Sequence, residues 1–150
     1  MDRFSQILYD LGLAIDTSLY VDPNGVCQLN YKDLLSVQLQ YLEPKEQLLM
    51  AAFLCEVPPG KYREKLFSSC LVHNGEHPNV GTFGFSERNN QLTYFSFISA
   101  IELTGDKLLV RLDSFVENGL EWKDAVENGK PLPTIDKPQE GEGGLFGLKL

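Results

Sequence analysis

Between Tyr62 and Val126 the hydrophobic period of the chain switches from helical to extended and back, an order that few folds accommodate. Tyr62, Leu66, Phe67, Cys70 and Leu71 recur at helical spacing until Asn74-Gly75 stops them. Two extended runs follow. Phe83 and Phe85 flank Gly84 in the first, Asn89-Asn90 supplies turn chemistry, and Gln91 to Ile98 makes the second. Leu92, Tyr94 and Ile98 fall on one side of that strand and Phe95 and Phe97 on the other, so both sheet faces carry bulky apolar groups. A single helix layer covers only one of them. Thr104 is then placed to cap a last helix with Asp106 in its first turn, and Leu108, Leu112, Phe115, Gly119, Trp122 and Val126 form its stripe. Gly119 costs about 1 kcal/mol relative to Ala in a helix interior, which marks either a close backbone approach or a local break.

Ahead of this unit, Phe4, Ile7, Leu8 and Leu11 share one face of a helix expected over 2–11, with Gly12 positioned to end it. Asp22-Pro23-Asn24-Gly25 is a dense turn signal. After it Cys27, Leu29 and Tyr31, then Val37, Leu39 and Tyr41, alternate with polar residues as half-buried antiparallel strands do, with Lys32-Asp33 as the hairpin link. Residues 46–57 are good helix formers, yet Pro44 and Pro58 confine them to strand length and the hairpin lacks a third partner, so a strand is expected. Pro58-Pro59-Gly60 opens the second helix, which should run to about His73. Its apolar arc is broader than one covered surface requires, so a second surface, such as another subunit, is implied. From Gly129 the prolines and glycines predict a flexible tail over 129–150, whose apolar end Leu145-Phe146-Gly147-Leu148 is either disordered or a docking segment. The expected fold class is therefore α+β, with one domain over 1–128.

At 150 residues, 43% of them apolar, the chain fills one core. A net charge of -8 repels phosphate backbones and anionic lipid, which argues against nucleic acid as a partner. No apolar run long enough for a membrane span and no signal-peptide pattern is present, so a soluble, cytoplasmic protein without membrane insertion is expected. Cys27, Cys55 and Cys70 sit in apolar runs at wide spacing, which is no disulfide framework. Cys70 and His73 lie three apart on a helix, where a nucleophile pair is conceivable, but a buried structural cysteine beside a helix-terminal histidine is the simpler reading. His73 and His77 with one cysteine fall short of a zinc site, Gly81 and Gly84 belong to no phosphate loop, and Glu121 and Asp124 read as a solvated helix face. No catalytic residue, metal ligand or cofactor site is expected, and the chain does not read as an enzyme.

The ordered segments 65–74, Thr82-Phe83-Gly84-Phe85, Leu92-Thr93-Tyr94-Phe95 and Phe115-Val116, with Trp122 six residues on, resemble the Tir/CesT-type chaperones of bacterial type III secretion. The resemblance spans about Phe4 to Val126, and His73 stands where relatives often carry Ala. It implies a fold of helix, three strands, helix, two strands and helix, an antiparallel sheet packed against the helices, and a homodimer. It also implies a function: in the bacterial cytoplasm, the dimer keeps the N-terminal segment of a secreted effector extended and secretion-competent. The secretion ATPase or sorting components are further implied partners, and a regulatory module that holds a transcription factor or an apparatus component is the alternative. Within that frame Leu66, Phe67, Cys70, Leu71, Phe83 and Phe85 are expected at the dimer interface. Phe4, Ile7, Leu8, Leu11, Phe95 and Phe97 are expected to touch cargo.

Overall fold

The computed structural model describes residues 2–76 and 80–133. Its elements run α1 (Arg3–Ile15), β1 (Val26–Tyr31), β2 (Leu35–Leu42), β3 (Gln47–Glu56), α2 (Lys61–Asn74), β4 (Thr82–Ser86), β5 (Gln91–Ser99) and α3 (Gly105–Glu127), with one 3-10 turn at Glu43–Lys45. The strands form one antiparallel sheet in the order β1-β2-β3-β5-β4. The expected succession of elements is the observed one.

Local chemistry explains most boundaries. The Asp2 carboxylate accepts the Ser5 N–H at 2.7 Å and starts α1. The helix does not stop at Gly12, as expected, but runs one turn further to Ile15 and ends on Asp16 in the left-handed region. Gly12 serves another purpose: a Cβ there would lie 2.5 Å from the Thr17 carbonyl oxygen, so its lack of a side chain lets the chain fold back against the helix. Asp22 Oδ1 accepts the N–H groups of Asn24 and Val26 and launches β1. Lys32 and Asp33 both take positive φ in the β1–β2 turn, which the Leu34 N–H closes on the Tyr31 carbonyl, with three residues between the paired Tyr31 and Leu35. The segment with helical propensity is the central strand β3, paired on both sides with β2 and β5, so sheet pairing outweighs propensity there.

All three helices lie on one face of the sheet. α3 crosses β2 and β3, α1 packs on α3, and α2 covers β4. Leu39, Leu48, Met50, Leu66, Tyr94, Leu108, Phe115 and Trp122 form the core between the layers. Gly119 packs closely on the sheet layer: a Cβ there would stand 3.3 Å from the Leu54 side chain and 3.5 Å from that of Leu35. The close-approach alternative thus holds, and α3 is unbroken. Thr104 caps its start by accepting the Lys107 N–H. At its end Gly129 has φ 64, and the N–H groups of Gly129 and Lys130 reach the carbonyls of Val126 and Ala125, a Schellman closure.

The beginning of the expected tail is not loose. Leu132 is buried in the core, Lys130 pairs with Asp124 at 2.7 Å, and the Tyr62 hydroxyl donates toward the carbonyls of Ala125 and Lys130. Apolar burial of Leu132 thus extends the folded unit to at least 133. The rest of the expected tail, with Leu145 to Leu148, and His77 lie outside the described residues.

Candidate functional site

A chain that has filled its own core still leaves apolar surfaces open among the described residues, and three of them involve residues expected at an interface or a cargo site. The first lies between α2 and β4. Leu66, Cys70 and Phe83, expected at an interface, are buried in this chain's own core, because α2 turns that edge of its arc onto the sheet. Phe67, Leu71 and Phe85 remain at the surface, Leu71 being 71% exposed, and they wall a depression of about 280 Å³. Phe67 and Phe85 meet edge to face at 5.2 Å, and the Arg63 guanidinium stacks over both rings at 5.1 and 4.8 Å. Asn74 closes the far end. Its carboxamide accepts the Phe83 N–H at 2.8 Å and donates to the Phe83 carbonyl at 3.0 Å, so the helix terminus grips the outer edge of β4.

The second surface is the sheet face opposite the helices. Phe53 and Phe97, 50% and 49% exposed, stand there with half-buried Leu49, Ala51 and Phe95. Register places Leu49 beside Phe97 and Ala51 beside Phe95, and the Phe95 and Phe97 rings meet at 5.9 Å. Both expected phenylalanines therefore belong to one strip. The pairing shifts between Phe53 and Cys55, so Leu54 and Cys55 are both buried and the strip ends at Phe53.

The third surface corrects an expectation. Phe4, Ile7, Leu8 and Leu11 are buried, covered by α3 and the sheet, as the 6.1 Å stack of Phe4 on Tyr41 illustrates. They offer no open stripe. The exposed apolar residues of α1 are Tyr9 and Leu13, and with Tyr20 and Val21 of the following segment they line a groove of about 620 Å³, with Leu8 at its margin. Tyr9 and Leu13 lie four apart on the helix, which was the available signal. Their partners come from a segment without period, so pattern reading did not join them.

Catalytic chemistry finds little footing at Cys70. The residue is buried, and desolvation pushes its thiol up to about 12, the opposite of what a thiolate nucleophile needs. His73 is held edge-on by Phe83 at 4.9 Å and Trp122 at 5.7 Å, with burial lowering its pKa. Among the described residues no group of three or more His, Cys, Asp or Glu could hold a metal ion, and no helix is long and apolar enough to cross a membrane.

A one-sided helix layer on a five-stranded antiparallel sheet, with apolar surfaces walled by aromatic residues, defines an α+β protein with surfaces suited to binding other chains. Residues 6–123 match the Tir chaperone protein (CesT) family, and the chain belongs to it. No curated protein matches by sequence. Among solved structures, a chain in the HopA1-SchA chaperone-effector complex is 18% identical with a TM-score of 0.68, over 82% of this chain and 94% of its own. A chain in the ExsC-ExsE complex is 22% identical with a TM-score of 0.67, over 84% and 97%. A chain in the complex of the Yersinia pestis type III secretion chaperone SycH with a fragment of YscM2 is 15% identical with a TM-score of 0.64, over 78% and 97%. At these identities the likeness is one of fold.

Proposed function

We propose that two copies of this chain form a cytoplasmic type III secretion chaperone that holds the N-terminal segment of an effector extended around them, without a chemical step. The observation that carries the reading is that apolar surfaces, among them the α2–β4 depression, the sheet strip and the α1 groove, stay open around a filled core. The α2–β4 depression is assigned to the second copy. A two-fold axis sets one patch against itself, so Leu71 and Phe85 of each copy would fill the other's depression. Asn74 occupies the Phe83 peptide on the β4 edge, which favours side-chain packing over a continuous sheet across the axis.

The α1 groove and the sheet strip are assigned to cargo. Each Å² of apolar surface buried there contributes about 25 cal/mol, while ordering a disordered segment opposes binding, so separated patches on one long segment suit modest net affinity. The groove adjoins β1, an edge strand of the sheet, and strand addition there would have to extend past the Asp22 N–H that already bonds the Val26 carbonyl.

The test is co-purification from the native host with mass spectrometry and light scattering. A dimer that retains an effector by its N-terminal segment is the expected result, and Tyr9→Asp with Leu13→Asp should release the effector while the dimer persists. A monomer with no protein partner would overturn the reading. Retention of a transcription factor or an apparatus component instead would make the protein a regulatory module.

A further inference from the structure

Short of the β3 bulge, the described outward positions of the sheet face opposite the helices carry no charge. In a chain of which 23% is charged, the outward positions from Val26 on β1, through Ser36 to Leu42 on β2 and Gln47 to Phe53 on β3, to Thr82 to Ser86 on β4 and Gln91 to Ser99 on β5 hold only amide, hydroxyl, glycine or apolar residues. The first carboxylate on that side is Glu56, beyond the bulge. Solvated surfaces mix both signs, whereas the centres of protein interfaces are depleted of charge and enriched in aromatic rings.

The apolar strip has the size of a single segment. Leu49 to Phe53 spans roughly 13 Å along β3, and with Phe95 and Phe97 it is two strands wide, about 5 Å between strand axes. Gln38 and Gln40 flank it on β2, and Thr82 and Gly84 on β4. A Cβ at Gly84 would fall 2.8 Å from Thr93 Oγ1 and 3.4 Å from the Phe95 ring, so this glycine leaves Phe95 room to lie toward β4. A second sheet stacked on this face would need an apolar area wider than two strands. One helix or one extended segment does not.

We propose that this face takes an uncharged stretch of the cargo chain, apolar at its centre and flanked by hydroxyl or amide side chains, and that the face's lack of charge is what selects it. A Lys or Glu brought onto the strip would be desolvated with no counter-charge among the described outward positions from Gln47 to Phe53 and Thr93 to Ser99, whichever its sign. The proposal rests on the chaperone reading and adds the chemistry of the segment.

The test uses the full chain and three synthetic peptides with one common apolar stripe and Ser/Gln, Lys or Glu flanks. The uncharged peptide should bind, and both charged peptides should bind about tenfold or more weakly. Gln38→Glu and Gln38→Lys, near-isosteric at the strip's border, should each weaken the uncharged peptide while improving the peptide of opposite sign. Tightest binding of the Lys peptide to the unmodified chain, lost in salt, would mean that the net acidic field governs, and would overturn the proposal. So would equal binding of all three peptides, indifference to both Gln38 variants, or a fall in assembly mass in those variants, which would assign the face to a second copy. If co-purified cargo survives Gln38→Lys but not the change of Tyr9 and Leu13 to Asp, the strip is no cargo site while the chaperone reading stands. If the unmodified chain retains no cargo, both fall.

Discussion

His73 has a buried Nδ1 with no hydrogen-bond partner among the described residues, and three aromatic rings surround its imidazole. Desolvation holds its pKa below 6.5 in the folded chain, against the partial opposition of Asn74 and Glu76. The unfolded state therefore binds the extra proton first, and stability should fall as pH drops through about 6.5 toward the folded value. Urea titrations between pH 7.5 and 5 should show that slope, and His73→Phe should flatten it. The opposite limb has the same logic. Burial pushes Cys70 and Tyr94 up to about 12 and Cys55 up to about 11, so the stability tied to their protonated forms should be lost as pH rises beyond roughly 9, where the unfolded thiols ionise. Thiol reagents should label all three buried cysteines slowly until the protein unfolds. At this scale the sequence places Cys70 in an apolar run, and the residue is buried, but the sequence does not tell which residues of an apolar arc reach solvent. Leu66 and Leu71 look alike in the sequence, and only the rotation of α2 on the sheet distinguishes them.

Elements were legible where period and punctuation agreed. β1, β2, β4 and β5 follow from alternation and turn residues, and β3 follows from the need for a central partner despite its helical propensity. α1 shows the limit: its stripe is legible but is buried in the single chain, because the same spacing serves a core and an exposed groove. Gly119 could not be resolved from sequence because a glycine marks a close contact and a break equally well. A side chain there would start against Leu54, Leu35 and Tyr94, so Gly119→Val should lift α3 from the sheet and destabilise the fold by about 1–3 kcal/mol, read from the shift of the urea midpoint. The α2–β4 depression yields a separable prediction. Leu71 is largely exposed in the single chain, so with Leu71→Asp circular dichroism should stay native while light scattering reports a halved mass.

At the scale of the molecule, the distribution of charge is as informative as its sum. The chain bears -8, yet one sheet face is uncharged up to Glu56, and the groove along α1 has Asp16 but no cation among its described walls. Self-repulsion keeps such a chain dispersed while its neutral face stays receptive to another chain. Association with the α1 groove should accordingly weaken with added salt for a basic segment, while association with the sheet strip should not. Titrations of cargo fragments at two salt concentrations separate the two contributions.

The carboxamide of Asn74 has a consequence for solubility. A terminal strand with bare peptide groups is a template on which further chains polymerise. By occupying both hydrogen-bonding groups of Phe83, one side chain breaks the row that an incoming strand would need to match. Asn74→Ala removes two hydrogen bonds, worth about 0.5–1.5 kcal/mol each, and it also uncovers that row. The expected sign is fibril growth, followed by thioflavin fluorescence, under conditions where the unmodified chain stays in solution.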